Sequence, residues 1–435
     1  MEKFIGIIVG LLILSVILII HEAGHFFVGR KLGFKVVEFS IFMGPRIFSW
    51  TKDDVRYSIK LIPLGASVEF AGEYSDDGEY IPTEGDFFSQ SIWKRALTML
   101  AGPGANLIAA SLAFIILFSI AGFQTTEISN IASNSLASMS EIKEGEIISE
   151  IADYKVNTDL DLKIATIIKD LSQPFTLKTI DANGKEQNRT ITPQNQTVYR
   201  MGINLTVDEN KSIIVYSINS KFNPDADNFV LGDKLVKIEG QEVNINNYEE
   251  ILSQYDDKKP LKVAVIRGNT ESEIEVPLVS QEIPVPLGIE LSENKNWYDS
   301  FLYAFKYQWS YVKGTVLALG KVISGGLPAK EALTGPVGIV DTFSNVLIDN
   351  EIDWGLKLIN LLSLFGAISL ALGVTNLIPM SPMDGGQLFL LIIEKIRGKR
   401  LSVKVENIIA LTGVVLLLLL FVMALRFDLG RIFNF

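Results

Sequence analysis

The chain has no cysteine and only two histidines among its 435 residues. Without cysteine there are no disulfides, so the sequence says nothing about the redox state of its compartment. Both histidines lie in one segment, His21-Glu22-Ala23-Gly24-His25, which confines imidazole chemistry to a single place. Positive charge is also scarce. The net charge is −11 and basic residues form no extended stripe, so nucleic acid is not an expected partner.

Long uncharged hydrophobic segments dominate parts of the chain. Hydrophobic residues make up 48% and the mean hydropathy is +0.30, which indicates a membrane protein with a sizeable soluble part. We expect an α-helical polytopic protein with four transmembrane segments, at about 4–28, 97–122, 357–383 and 405–425. The third is interrupted by Asn376, Pro379 and Pro382, as tolerated where backbone lines a protein cavity. A cleaved signal peptide fits the first segment poorly, because no small-residue cleavage site follows it.

The two histidines have the spacing of a zinc site. Residues i and i+4 of a helix share a face, so His21 and His25 can bind one metal ion while Glu22 serves as general base toward a water molecule. The motif follows an uncharged run, Phe4 to Ile20, and polar clusters inside a membrane are usually functional. A chance pentapeptide is the alternative, which this location disfavours.

A third zinc ligand must be a carboxylate, because no other histidine and no cysteine exist. Asp384 follows the uncharged stretch from Leu358 to Met383 and is our candidate. The alternative is a helix end broken by proline and glycine, with a solvated aspartate.

Basic residues predict the topology. Their clusters after the first segment, before the second and between the last two belong inside, which places both termini and region 123–297 outside. We expect a multi-pass protein of the cell (inner or plasma) membrane. The first and third segments then run in the same direction, which brings His21, His25 and Asp384 to a similar depth near the cytoplasmic face.

Region 123–297 contains an internal repeat of about 85 residues. Val230–Val243, a helix near Tyr248 and a strand at Leu261–Arg267 are echoed earlier by Ile142–Ile151, a helix near Leu160 and a strand at Phe175–Thr179. The predicted organisation is a first half of a membrane core, two α+β modules, a connector with an interfacial helix, and a second half of the core: 1–122 (with a β region at about 45–72), 123–208, 209–292, 293–345 and 346–435.

A second candidate site lies in the segment Val55–Phe70, whose residues alternate as in a half-buried strand before a turn at Pro63–Ala66. An ordinary cytoplasmic hairpin is one interpretation. The other is an edge strand that adds an unwound substrate as a further strand, with Ile59, Leu61 and Gly65 in contact with it. The aromatic-rich stretch Trp297–Lys321 is interpreted as an interfacial helix, and a plain connector helix is the alternative.

Taken together, these segments resemble the site-2 protease family, in particular RseP-like bacterial intramembrane zinc metalloproteases with tandem PDZ domains. The matching stretches are His21-Glu22-Ala23-Gly24-His25-Phe26-Phe27, Val37-Glu38-Phe39-Ser40 with Gly44-Pro45-Arg46, Leu61-Ile62-Pro63-Leu64-Gly65, Ala101-Gly102-Pro103 with Asn106, Gly335-Pro336-Val337-Gly338-Ile339, Asn376-Leu377-Ile378-Pro379 and Met383-Asp384-Gly385-Gly386.

The resemblance implies one catalytic Zn²⁺ held by His21, His25 and Asp384, with Glu22 as general base. It implies that Asn376, beside Pro379, contacts the substrate backbone, and it favours the edge-strand interpretation. The two modules are similar to circularly permuted PDZ domains, as at Gly232-Asp233-Lys234-Leu235, although the first copy has Gly145-Glu146 instead. Met383, Ala66 and Ala371 also depart from the family pattern, which affects substrate handling rather than the metal ligands.

The implied function is cleavage within the transmembrane segment of single-pass substrates, such as a pre-trimmed anti-sigma factor or signal-peptide remnant, in regulated intramembrane proteolysis. The PDZ pair acts as a size filter in this interpretation, the lipid bilayer is the medium, and a monomer is sufficient. The alternative is a catalytically silent membrane scaffold that binds partners through its PDZ domains, which the retention of Glu22 argues against. A metal transporter lacks support, because three polar residues at one depth form a site rather than a pathway.

Overall fold

A computed structural model describes residues 2–72, 83–208, 212–245, 247–257, 259–268, 270–332, 334–349 and 352–433. The chain divides into two compact units. The first unit comprises Met1–Glu127, Ile147–Asp170 and Leu291–Phe435, and the second comprises Ile128–Glu146 and Leu171–Glu290.

In chain order, the α-helices are α1 (Glu2–Lys31), α2 (Ile92–Ala121), α3 (Leu136–Met139), α4 (Asp159–Ile168), α5 (Tyr248–Leu252), α6 (Trp297–Ile323), α7 (Ala329–Ala332), α8 (Pro336–Ile348), α9 (Trp354–Thr375), α10 (Asp384–Arg397) and α11 (Val403–Phe433). Short 3₁₀ helices span Phe87–Ser89 and Pro224–Asn228.

The strands are β1 (Val36–Lys52), β2 (Val55–Phe70), β3 (Phe123–Ile131), β4 (Ile147–Ile151), β5 (Tyr154–Lys155), β6 (Phe175–Ile180), β7 (Glu186–Ile191), β8 (Asn195–Arg200), β9 (Ile203–Val207), β10 (Ile213–Ile218), β11 (Lys234–Ile238), β12 (Gln241–Glu242), β13 (Leu261–Arg267), β14 (Thr270–Val276), β15 (Val279–Pro284) and β16 (Ile289–Asn294).

Membrane-spanning helices belong to the first unit. Among the described residues, four helices are long and apolar enough to cross a bilayer, at Lys3–Lys31, Ile92–Ala121, Trp354–Thr375 and Val403–Ile432. The helix in the predicted third span is shorter than expected, because α9 ends at Thr375 and the segment with the prolines is a loop before α10. Proline lacks the N–H that a continuing helix needs, so the polar and proline residues there end the helix.

Small residues let these helices approach closely. An added Cβ at Gly24 would lie 2.3 Å from the Ala101 carbonyl oxygen, and one at Gly373 would lie 3.1 Å from the Pro103 carbonyl oxygen. Helix α2 is therefore packed between α1 and α9, because small residues allow backbones to approach within membrane helix bundles. A core around Phe114 and Leu370 fills the α2–α9 interface.

The sheet formed by β1 and β2 differs from the predicted hairpin. Residues 36–41 pair on one side with 66–70 and on the other with 56–59, which pair in turn with 48–51. Ile59 thus faces Ile41 on one side and Phe48 on the other. The prediction that Ile59 belongs to an edge strand is wrong. Gly44 (φ +85°) and Gly65 (φ +81°) adopt left-handed conformations where the long strands bend, which glycine accommodates without steric cost.

The second unit has a sheet with strand order β14-β13-β11-β10-β9, and β12 beside β11. Its core includes Val263 and Ile238, and the Arg267 guanidinium pairs with the buried Asp233 carboxylate at 2.7 Å. Strand β9, assigned from the sequence to the first module, pairs with β10 of this sheet, and β8 pairs with β15. The module boundary predicted at residue 208 therefore falls between two paired strands, while residue 209 lies outside the described residues.

Candidate active site

Three side chains converge between α1 and the start of α10. Ligand atoms of His21, His25 and Asp384 all lie within 4.8 Å of one another. The two Nε2 atoms are 3.2 Å apart, and the Asp384 carboxylate oxygens lie 3.1 Å from His21 Nε2 and 3.4 Å from His25 Nε2. Both histidines are buried, at 6% and 4% exposure.

Local structure explains how distant residues meet. His21 and His25 lie one turn apart on α1, which stacks them on the same face. Asp384 is the first residue of α10 and reaches this face because the preceding loop folds back, with the Gly385 N–H donating to the Asn376 carbonyl at 2.7 Å. Helix α10 is held to α2 by a bidentate ion pair between Arg95 and Glu394, at 3.0 and 2.5 Å.

Helix α2 orients both imidazoles. His25 Nδ1 lies 2.8 Å from the Thr98 carbonyl oxygen, which can only accept, so Nδ1 donates and Nε2 directs its lone pair into the cluster. His21 Nδ1 lies 3.3 Å from the Asn106 amide, whose Oδ1 has no hydrogen-bond partner among the described residues. Turning this amide by 180° lets Oδ1 accept from His21 Nδ1–H. Second contacts of this kind fix the tautomer of a metal-binding histidine.

The donor set fits one zinc ion. Two imidazoles and a carboxylate are a catalytic zinc ligand set that leaves one coordination position open. Asp384 Oδ2 is buried and lacks a hydrogen-bond partner within the described part of the chain. Two imidazole lone pairs and a carboxylate repel one another unless a cation lies between them, so these contacts favour a shared metal ion.

Glu22 is adjacent to the cluster but does not belong to it. Its Oε2 accepts a hydrogen bond from the backbone N–H of Val68 at 3.0 Å. The carboxylate is therefore held between the histidines and the 66–70 segment of β2. This is the position that a general base beside a metal site needs, with a backbone edge next to it.

The predicted substrate-binding residues are divided in space. Asn376 lies at the cluster, with its Nδ2 3.3 Å from His21 Nε2. Pro379 follows in the same loop and lines a small cavity with Met380 and Phe389. Ile59 is in the interior of the β1–β2 sheet, Leu61 is 59% exposed, and Gly65 forms the bend before the segment that contacts Glu22.

Three contacts of the site are not derivable from motif spacing. They involve the Thr98 carbonyl, the Asn106 amide and the Val68 N–H. Of the three, only Asn106 can be noticed in the sequence, because it is a polar residue in the apolar stretch of α2. It follows Ala101-Gly102-Pro103, one of the stretches that match the site-2 protease family. Backbone groups such as those of Thr98 and Val68 have no sequence signature.

Comparison with known proteins matches the chain to one protein family and to several named relatives. The profile of peptidase family M50 matches residues 9–420. The regulator of sigma-E protease RseP of Escherichia coli strain K12 is 28% identical over 96% of this chain and 97% of its own length. A putative zinc metalloprotease of Thermotoga maritima is 24% identical over 97% of this chain and 98% of its own length.

Among solved structures, the HtrA3 PDZ domain aligns with 20% of this chain at 19% identity and a TM-score of 0.18. A TM-score this low does not support a conclusion about the fold of the two modules.

Proposed function

Because the chain belongs to peptidase family M50, whose members are zinc metalloendopeptidases of the site-2 protease type, we propose that it cleaves a peptide bond within the transmembrane segment of single-pass proteins. The observation that carries this proposal is the convergence of His21, His25 and Asp384 beside Glu22, on a helix apolar enough to span the membrane. The likeness to proteins named regulator of sigma-E protease supports a place in regulated intramembrane proteolysis.

We assign His21, His25 and Asp384 as the ligands of one zinc ion, which when bound polarises water and the scissile carbonyl. Glu22 takes one proton from the attacking water and delivers it to the amide nitrogen as the C–N bond breaks, which leaves a carboxylic acid and an amine. Asn376, at hydrogen-bond distance from His21, orients the substrate backbone beside the cluster.

The substrate strand adds at residues 66–68 rather than at Ile59 or Leu61. Within the described residues, segment 66–68 pairs with 39–41 on one side and with no strand on the other, and the Val68 N–H on that other side is directed at Glu22. A transmembrane helix must unwind before its backbone can be cut, and an exposed strand edge supplies replacement hydrogen bonds. Gly65 allows the bend that presents this edge.

We place the active site near the cytoplasmic face of the cell membrane, with both termini and the PDZ-like region outside, on the distribution of basic residues. The outer modules then exclude substrates with bulky outer domains, so that a prior cut is required. One chain supplies every assigned group, so a monomer is sufficient.

Cleavage of a tagged single-span reporter with its outer domain already trimmed tests the proposal. Wild type and Glu22→Gln are compared at matched zinc content, and only wild type is expected to cut. Cleavage by both variants contradicts the assignment of Glu22. Failure of both across a panel of trimmed reporters, with zinc bound, favours the scaffold alternative.

A further inference from the structure

Segment 63–68, which leads into one outer edge of the β1–β2 sheet, is contacted by two side chains of α1. Glu22 Oε2 accepts from the Val68 N–H at 3.0 Å, and the Ser15 hydroxyl donates to the Pro63 carbonyl at 3.0 Å. Ser15 and Glu22 are seven residues apart, which places them two turns apart on the same face of α1. The segment between Pro63 and Val68 therefore lies along α1, with one backbone group bound near each end.

One of these contacts occupies a group that an added strand requires. A peptide pairing with segment 66–68 must accept a hydrogen bond from the Val68 N–H, because this is the donor that the edge directs away from β1. Glu22 holds that donor already. The peptide and Glu22 thus compete for a single hydrogen.

The Ser15 contact can be exchanged without loss, whereas Glu22 gives up a hydrogen bond. The Ser15 hydroxyl also lies 2.8 Å from the Leu11 carbonyl oxygen, so it can rotate from Pro63 to Leu11 and keep one hydrogen bond. Because a hydroxyl has one hydrogen, it can donate fully to only one of these acceptors at a time.

We propose that the bond between Glu22 and the Val68 N–H belongs to the substrate-free enzyme, and that the substrate carbonyl replaces Glu22 on Val68. The inference rests on the proposed proteolytic function. It makes Val68 a positioning residue with two successive partners. Pairing of the substrate with the edge frees the Glu22 carboxylate to serve as base, so the base is released only when a peptide lies beside it.

Binding to inactive variants tests the exchange apart from catalysis. The probe is the transmembrane segment of the cleaved reporter, as a fluorescent peptide in detergent micelles, and the measurement is its dissociation constant with the zinc-loaded Glu22→Gln and Glu22→Ala variants. The glutamine amide oxygen still accepts from Val68, whereas alanine removes the competitor. We expect Glu22→Ala to bind about fivefold more tightly, the size of one neutral hydrogen bond.

Proline at position 68 completes the thermodynamic cycle. Val68→Pro removes the edge N–H without removing a bond to β1, a substitution that edge strands accommodate. It is expected to weaken binding in both backgrounds and to abolish the difference between them, whereas the control Val68→Ala retains it. Ser15→Ala is expected to leave the affinity unchanged, because the hydroxyl can turn from Pro63 to Leu11.

Equal affinities of the Glu22→Gln and Glu22→Ala variants contradict the exchange, as does a difference that survives Val68→Pro. If the proline variant does not fold, the comparison of the two Glu22 variants decides by itself. A failure of the proposed function is recognised separately, because zinc-loaded wild type would then cleave none of the trimmed reporters.

Discussion

Gly102 of α2 packs against the His25 ring and leaves no space for a side chain. A Cβ there would lie 2.1 Å from His25 Nε2, the atom assigned to zinc. Alanine has the higher helix propensity by about 1 kcal/mol, so a loss of function on Gly102→Ala cannot come from a weakened helix. We expect Gly102→Ala to displace the His25 ring and to lose zinc, measured as metal content of the purified protein.

Gly104 is the matched control on the same helix, because a Cβ there meets nothing within 4 Å. Gly104→Ala is expected to keep full zinc content and cleavage. Stoichiometric zinc in both variants would contradict the close approach of α2 to His25.

Asn106 provides a second prediction at the residue scale. Asn106→Leu keeps a similar volume but removes the amide beside His21 Nδ1, which lies 3.3 Å away. Loss of such a contact typically lowers metal affinity by about 10- to 100-fold. Competition with a chelator of known affinity measures the change. Ser111 lies on another face of α2, where its hydroxyl accepts a hydrogen bond from Gln308 of α6. Ser111→Ala is expected to leave zinc affinity unaffected.

Sequence reasoning reached the residues with distinctive chemistry and missed those whose contribution is geometric. His21 and His25 share a face by helical spacing, and scarcity of other donors led to Asp384, which the structure brings beside them. The Thr98 carbonyl is a backbone group that any residue type supplies, so its contact with His25 depends on the packing of α2 against α1. Such packing is not encoded in local spacing.

At the scale of elements, the β1–β2 sheet shows why a strand can be predicted correctly while its position in the sheet is predicted wrongly. Alternation of apolar and polar residues identified Val55–Leu61 as a strand, because burial of one face is a local property. The partner is set by chain reversal at Gly44 and Gly65, which lets segment 36–41 pair on both sides. Ile59 is consequently interior, and one outer edge is formed by segment 66–68, which begins in the predicted turn.

Helix α8 depends on a single buried carboxylate at its start. Asp428 of α11 is fully buried and accepts from the N–H groups of Gly335 at 3.0 Å and Gly338 at 2.8 Å. These N–H groups lack intrahelical partners, and a carboxylate there also opposes the positive end of the helix dipole.

We expect Asp428→Ala to raise hydrogen exchange at the first turn of α8 by about 10-fold or more, because two charge-assisted hydrogen bonds are lost. Asp428→Asn retains one carbonyl oxygen and is expected to give a smaller increase. Unchanged exchange in the alanine variant would show that α8 is held in place by its apolar face alone.

Helices α4 and α6 are joined by a buried charge cluster. The Asp161 carboxylate accepts from Lys313 Nζ at 2.9 Å, from the Ser310 hydroxyl at 2.7 Å and from the backbone N–H of Asn157 at 2.9 Å. Burial alone would raise the pKa of Asp161, but the hydrogen bonds from Lys313 and Ser310 outweigh it and lower the pKa below its ordinary value.

The lowered pKa fixes the sign of the pH dependence. Because the carboxylate titrates lower in the folded state, its stabilisation is present above the unfolded pKa of about 3.9 and is lost as the pH falls through the folded value. We expect hydrogen-exchange protection of α4 to fall below about pH 4 in wild type. Asp161→Asn is expected to be less protected at neutral pH and to lack this acid dependence. The exposed Asp153→Asn serves as control and should follow wild type.

At the scale of the whole molecule, the sequence showed the repeat in region 123–297 but not the boundary between its two modules. Helices α4 and α5 and strands β6 and β13 lie where the sequence predicted them. However, β9 follows the first copy in sequence and pairs with β10 of the second. The partner of a strand at the end of a module is set by nonlocal pairing, which the internal repeat does not specify.

The predicted membrane topology can be tested because the chain lacks cysteine, so a single introduced thiol is the only reactive site. Glu144 and Lys399 are both exposed, and the basic-residue rule places the first outside and the second inside. A membrane-impermeant maleimide applied to spheroplasts should label Glu144→Cys and should label Lys399→Cys only after permeabilisation. Cleavage of the reporter by both variants controls for folding. Labelling of Lys399→Cys but not of Glu144→Cys in intact spheroplasts would contradict the predicted topology and would place Asp384 near the outer face of the membrane.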